Sequence, residues 1–460
     1  MRTRGIAGTA VYVPHRRLDR RSIATVAGRG GGKGTRSVAG YDEDTTTMGV
    51  EAARAVRRAC PDLTPEVLWF STAAPAYADK TNATAIHAAL RLEPQVGAFD
   101  AVGSVRSSVG ALSAALHGHG THLVVSADLR SGVPGGPDES TFGDGAAALL
   151  VAGDDVPLLA MAIGGGRATE EFLDRWRTPG DVGSKVWEER FGETRYVPLG
   201  VTAWEDALKH AGLVADQVDH VAIAGTHTRA IAALAKRLGV GDRQVGTDLA
   251  SRIGNLGAAQ PAALLAAALE RAEPGHVIAL VVLADGADVV LLRVTDAILS
   301  WSPHRTVEGH AAGGAPVDYG TYLRWRGLLS VEPPRRPEPA RPSASAAGRS
   351  ADWKFGFVGS SGDDGEVHLP PQPADASAVP MSDASGTIAT FTVDRLAYSP
   401  SPPVVFAVVD FDGGGRLPVE LTDVDIDQVR IGARVELTFR KLFTADGIHN
   451  YFWKARLRDG

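Results

Sequence analysis

AFDAVGSVRSSVGALSAALHGHGTHLVVSAD (residues 98–128) and IGNLGAAQPAALLAAALERAEPGHVIALVVLAD (residues 253–285) read as two versions of one unit, the alternative being chance similarity between buried αβ units. Each reads as a small-residue helix, a buried apolar strand and an Ala-Asp turn. Each is followed by a second apolar strand, GAAALLVAGD at 145–154 and DVVLLRVTD at 288–296. A repeat of this kind means a duplicated domain, with the two Ala- and Gly-rich helices as a close-packed pair at its centre. Uninterrupted apolar strands are what sheets covered on both faces require, so the fold class is α/β.

The same alternation extends outward over residues 1–297. Further strand candidates are GIAGTAVYVP (5–14), EVLWFSTA (66–73) and HVAIAG (220–225). Helical candidates are TTTMGVEAARAVRRA (45–59), NATAIHAALRL (82–92), AWEDALKHAG (203–212) and RAIAALAKRLG (229–239). The halves divide at about residues 1–156 and 157–297. Residues 298–350 differ: a short Arg- and aromatic-rich helical segment, DYGTYLRWRGLL, leads into a Pro- and Ser-rich linker. Residues 351–460 hold about five short alternating strands broken by Gly and Pro, the pattern of a small all-β barrel of the OB type.

Composition narrows the function classes. A formal charge of −7 leaves no basic footprint for nucleic acid. No apolar run approaches the roughly 18 residues that span a bilayer, and the first residues lack the apolar stretch of a signal peptide. The expectation is a cytoplasmic protein. One cysteine, Cys60, excludes an intrachain disulfide framework and a cysteine-rich zinc site.

Three positions stand where chemistry is expected. Ser104 precedes the first-half helix, whose opening N–H groups favour an anion; it is either an acylable nucleophile or an N-cap. Ser107 and Ser108 compete with it for the nucleophile's place. Asn255 holds the matching place in the second half, where it either supports a thioester oxygen or a water, or makes a turn. His227 follows a buried strand, as an acid–base group or as a capping residue. Gly254 and Gly257 allow backbone and ligand to come close. The loop STAAPAYADKTN offers Tyr77, Asp79, Lys80 and Asn82 to a pocket or a dimer contact. Asp144 in FGDG reads as a turn into a strand. EEFLDRWRTPGDVGSKVWEERFGE (170–193), with Trp176 and Trp187, reads as a cap over the mouth or a helical excursion. GRGGGKGTR (28–36) is not a P-loop and reads as a flexible loop, a phosphate contact being the other reading.

Together these residues resemble the thiolase superfamily, in the branch of 3-hydroxy-3-methylglutaryl-CoA synthases and β-ketoacyl-carrier-protein synthases III. GIAGTAVYVP, YDEDTTTMGVEAA, the Ala-Phe-Asp run before Ser104, FGDGAAALLV and IGNLGAAQP carry the likeness over residues 1–297. The tail resembles the OB-fold partner of thiolase-like enzymes, commonly a separate subunit with a zinc ribbon. The resemblance implies a duplicated thiolase-like αβαβα domain and an acyl-CoA or acyl-carrier thioester as substrate. It further implies no tightly bound cofactor, a homodimer, and a carrier protein or a second thiolase-family subunit as further partner. It also marks what is missing. The family's catalytic cysteine corresponds to Ser104, and its histidine falls near Gly225, two residues before His227. The synthases' glutamate falls at or near Ala73, and SSGDDG and PADASA stand where ribbon cysteines are expected. Only Asn255 matches cleanly.

Three functions fit. One is an enzyme that makes or breaks a C–C bond beside an acyl thioester without an acyl-cysteine. One is an acyltransferase working through acyl-Ser104. The third is a non-catalytic scaffold or acyl-CoA-binding partner of an active thiolase, with the OB domain as its docking module.

Overall fold

The computed structural model describes residues 3–363 and 365–458, residue 189 by its backbone. The first half holds β1 (Arg4–Tyr12), α1 (Thr45–Ala59), β2 (Val67–Thr72), α2 (Ala83–Ala89), β3 (Gly97–Val102), α3 (Arg106–His117), β4 (His122–Asp128) and β5 (Gly145–Gly153). The second half holds β6 (Ala160–Thr169), α4 (Glu189–Ala211), β7 (His220–Gly225), α5 (Thr228–Leu238), α6 (Gln260–Leu269), β8 (Val277–Leu283) and β9 (Gly286–Val294).

The strands run in the order β7-β8-β9-β6-β1-β5-β4-β2-β3. From the central β1–β6 seam outward the two sides match. Each steps through two antiparallel pairs and then a parallel one, β1-β5-β4-β2 against β6-β9-β8-β7. The repeat in the sequence is therefore a repeat in topology.

Strand periodicity divides the side chains into layers. Leu123, Val125 and Ala127 of β4 face α1, while Val124 faces α3 and α6. In the second half Ile278, Leu280 and Val282 of β8 face the same central helices, while Val277, Ala279 and Val281 face α4 and α5. The result is α1, sheet, α3 with α6, sheet, α4 with α5. All ten residues of α6 are buried. Only a helix of Ala, Leu, Pro and Gln, with no charge to solvate, fits there.

β3 and β6 are absent from the strands expected above. β3 is a half-buried edge strand, and β6 carries Gly164–Gly166, so neither makes an apolar run. The cap segment also differs from a helical excursion. Arg175–Trp176 and Lys185–Val186 pair as a short antiparallel hairpin, and helix begins only at α4.

Past β9 the short helix α7 (Tyr319–Trp325) returns to the first half. Its successor Arg326 pairs with the buried Asp144, which also accepts from Ala39 N and Arg130 N at 2.8 Å. The strand-rich tail is two sheets. Residues 358–380 form three short strands, and the barrel proper is β10 (Ser385–Asp394), β11 (Val404–Phe411), β12 (Arg416–Leu421), β13 (Arg434–Ala445) and β14 (Ile448–Leu457), closed in the order β10-β11-β12-β14-β13.

The barrel sits on its own thiolase-like domain. Its apolar interior and the outer face of α1 form one continuous core. Fully buried ion pairs cross the contact: Lys454 to Asp42 at 3.0 Å, Arg440 to Glu43 at 3.2 Å. Arg54 of α1 lies 4.6 Å from the Trp453 ring centroid.

Candidate active site

The C-terminal ends of the parallel strands β2, β3 and β4 lie side by side, and the end of β7 is tied to them through Asn255, Gly257 and Ala258, which bond to Gly225 on one side and Asp128 on the other; strand C-termini are the usual place for a ligand in a sheet of this kind. β3 ends at Val102, Gly103 donates to the Thr72 carbonyl at 3.1 Å, and Ser104 follows. The N-cap of α3 is Val105, and no side chain caps the helix. Ser104 is thus not the N-cap, and its hydroxyl makes no hydrogen bond among the described residues. Ser107 and Ser108 bond to the carbonyls of Val102 and Val105.

The two Ala-Asp turns of the repeat clasp opposite halves. Asp128, fully buried, accepts from Ala73 N and from Ala258 N, both at 2.8 Å, and from Thr72 Oγ1 at 3.1 Å. It joins the loop after β2 to the start of the second-half helix. In return Arg106, at the start of α3, donates to the Asp285 carbonyl at 2.6 Å and to Asp288 at 2.9 Å.

Asn255 is 7% exposed. Its Nδ2 donates to the Gly225 carbonyl at 2.6 Å and its Oδ1 accepts from Gly257 N at 2.9 Å. Gly254 and Gly257 both have positive φ, and protein fills the space beside them. A Cβ at Gly257 would lie 2.1 Å from Asp128 Oδ2, and one at Gly254 would meet the Phe142 carbonyl. The close approach at these glycines is that of the other half of the molecule.

His227 is 8% exposed and opens α5, its Nδ1 accepting from Ala230 N at 3.0 Å. With Nδ1 an acceptor, the proton of the neutral ring is on Nε2. That edge faces α4 and Asp174: a Cβ on Gly192 would lie 2.7 Å from His227 Nε2 and 2.4 Å from Asp174 Oδ1. Burial pushes the Asp174 carboxyl above its ordinary range, and His227 opposes the shift. Tyr196 stands beside the imidazole, and its hydroxyl accepts from Asp285 N at 3.3 Å, linking this pair to the Arg106 clasp. The sequence singles out Ser104, Asn255 and His227 and gives no sign of a role for Asp174, Asp128 and Arg106, which the structure places around them.

The hairpin is tied to the loop after β2. Arg177 donates to the Ala73 carbonyl, Arg175 pairs with Asp138 at 2.5 Å, and Trp176 and Trp187 are 6.2 Å apart. The glycine-rich loop runs alongside, Gly31 N donating to Ser140 Oγ at 2.9 Å. Tyr77 lies elsewhere: its hydroxyl accepts from His449 N of the barrel at 2.8 Å, while Asp79 is exposed. Asn82 and Lys80 order their own loop.

In the three-stranded sheet before the barrel, Asp375 Oδ2 accepts from Ser360 Oγ at 2.5 Å and meets His368 Nδ1 at 2.7 Å. These hydrogen bonds lower the Asp375 pKa. Such a set does not suit zinc, and no group of three or more His, Cys, Asp and Glu among the described residues is placed to hold a metal.

Two layered halves related by a repeat, with a helix start from each at one site, define a thiolase-superfamily acyl-thioester enzyme, here fused to an OB-type barrel. Residues 208–292 match the model of the 3-oxoacyl-[acyl-carrier-protein] synthase III C terminal, and residues 378–440 that of the ChsH2 C-terminal OB-fold domain. The hydroxymethylglutaryl-CoA synthase of Aeropyrum pernix is 31% identical over 346 residues, 71% of this chain and 95% of that protein. That of Pyrococcus horikoshii is 29% identical, over 70% of this chain and 95% of its own. A hydroxymethylglutaryl-CoA synthase structure complexed with CoA superposes with TM-score 0.59 at 18% identity, covering 70% of this chain and 90% of that one. 3-Oxoacyl-(acyl carrier protein) synthase III of Pseudomonas aeruginosa superposes with TM-score 0.55 at 19% identity, covering 64% and 99%. The chain belongs to the hydroxymethylglutaryl-CoA synthase family.

Proposed function

We propose that this family member makes or breaks a C–C bond next to an acyl thioester of CoA or a carrier protein without forming an acyl-enzyme. The observation that carries the reading is the buried His227, with the unpartnered Asp174 carboxyl facing the same Gly192 backbone, set against a Ser104 hydroxyl that meets no base among the described residues. A serine without a base is a poor nucleophile near neutral pH, and serine esters are less reactive toward carbon nucleophiles than thioesters. The synthase chemistry named for the relatives needs a thiol at this place, so it is not carried over. His227 moves the proton, and Asp174 orients the ring and balances its charge. The start of α3 and the second N–H of the Asn255 amide hold the thioester oxygen. Arg177, beside Ala73, suits a phosphate of a carrier group.

The scaffold reading is less favoured: the barrel that would serve as its docking module packs on its own domain through buried ion pairs. A homodimer pairing two β3 edges fits that strand's open side and its exposed Phe99 and Val102.

The test is incubation with a panel of acyl-CoAs, following both intact protein mass and small-molecule products. New or cleaved CoA products without a protein adduct support the reading. An acyl-sized mass gain that Ser104→Ala removes replaces it with serine acyl transfer.

A further inference from the structure

The barrel does not meet its domain everywhere. Between β1, the last turn of α1, residues 302–316 and the barrel runs a cleft of about 1250 Å³. None of Ser104, Asp128, Asp174, His227 or Asn255 lines it.

Its walls carry cations without counter-charges. Arg16 makes no side-chain hydrogen bond or ion pair among the described residues. Arg305 donates only to the Gly309 carbonyl, at 3.1 Å. His304 and His310 stand in the same wall. The cleft's carboxylates are ion-paired with other cations than these: Asp423 with Arg440 at 2.9 Å and Glu51 with Arg54 at 2.8 Å, outside the lining, and Glu436 with Arg456 of the same lining at 2.7 Å. Asp425 caps the short turn Ile426–Gln428. Burial, together with Arg305, Arg17, Arg456 and His304, pushes His310 down to about 3, so it is neutral at physiological pH. One further group lacks a partner: the Thr9 hydroxyl, on the cleft wall and 2% exposed.

Two guanidiniums with no carboxylate partner among the described residues, two imidazoles and a hydroxyl form a donor set for an anion with several oxygens on one centre, and arginine suits phosphate in particular. The volume is far more than inorganic phosphate fills. We infer that this cleft is a second ligand site, for a small organic molecule bearing a phosphate monoester or diphosphate, which Arg16, Arg305, His304, His310 and Thr9 hold. A ligand there touches both β1 and the barrel, so its binding tightens the contact between the two domains.

The test is calorimetric titration of the full-length protein with inorganic pyrophosphate as probe. Expected is one site per chain, with affinity falling as salt rises. The Arg16→Ala/Arg305→Ala double variant weakens binding by about tenfold or more at unchanged melting temperature. Thr9→Val, which keeps the shape and removes the donor, weakens it several-fold. His227→Ala leaves it unchanged, so the outcome is independent of the catalytic reading. Competition with desulfo-CoA identifies the source: displacement assigns the phosphate to the thioester's own nucleotide, and no displacement assigns it to a separate metabolite. No heat at millimolar pyrophosphate, or equal binding by wild type and the double variant, overturns the site.

Discussion

Ser104 and His227 differ in what surrounds them. The serine follows an edge strand with its hydroxyl unbonded, and the histidine is enclosed between Ala230 N, Tyr196 and Asp174. Ser104→Ala is therefore expected to keep turnover within about threefold, measured as product release from the acyl-CoA panel, because no proton acceptor activates the hydroxyl. His227→Ala and Asp174→Asn are expected to lower turnover by about 10²–10⁴, the usual weight of a positioned acid–base group. In Asp174→Asn the KM stays near wild type if the residue orients the histidine, and rises if it binds substrate. The sequence named the residues that sit at helix starts, because helix starts have a local signature. Asp174 has none. It lies in a stretch of mixed charge and irregular backbone, and its meaning comes from Gly192, eighteen positions on, letting α4 close over it.

At the scale of elements, the repeat acts as a pair of crossed clasps. Asp128 reaches the start of the second-half helix, and Arg106 reaches the second-half Ala-Asp turn. Asp128→Ala leaves the N–H groups of Ala73 and Ala258 buried without acceptors, which predicts a loss of about 3 kcal/mol in denaturant unfolding. Arg106→Ala affects a partly buried contact and is expected to cost about 1 kcal/mol. The α/β class and the duplication were legible because strands buried on both faces write themselves as apolar runs, and the barrel because its one-sided strands alternate between Gly and Pro breaks. β3 was not: it alternates Phe99, Asp100 and Ala101, and Asp100 is occupied with capping α2 through Asn82 N and Ala83 N. The Ala-Asp turns were visible as a repeat, but their crossing is a tertiary fact, since each turn's partner lies more than a hundred residues away.

At the scale of the whole molecule, two surfaces decide assembly. If β3 edges pair, the 48.1 kDa chain sediments at twice that mass. Phe99→Arg, which places a charge on that edge, then gives a monomer. The barrel contact is held differently, by charges taken out of water. Glu51 of α1 accepts from Phe439 N at 3.1 Å and pairs with Arg54 at 2.8 Å. Burial opposes its ionisation, but Arg54 and Arg456 outweigh burial and bring its carboxyl down to about 2 from an ordinary 4.5. A carboxyl depressed by folding contributes stability above its unfolded pKa, and that contribution is lost as pH falls through the folded one. The shift corresponds to about 3 kcal/mol, removed between roughly pH 4.5 and pH 2. Acid is therefore expected to loosen the barrel first, seen as a change in the fluorescence of the buried Trp453, which stacks under Arg54. Glu51→Gln keeps the side chain's shape and removes the titration. Its stability should be lower at neutral pH and should fall less steeply below pH 4.5. A Glu51→Gln protein with the wild-type acid profile assigns the transition to other carboxyls.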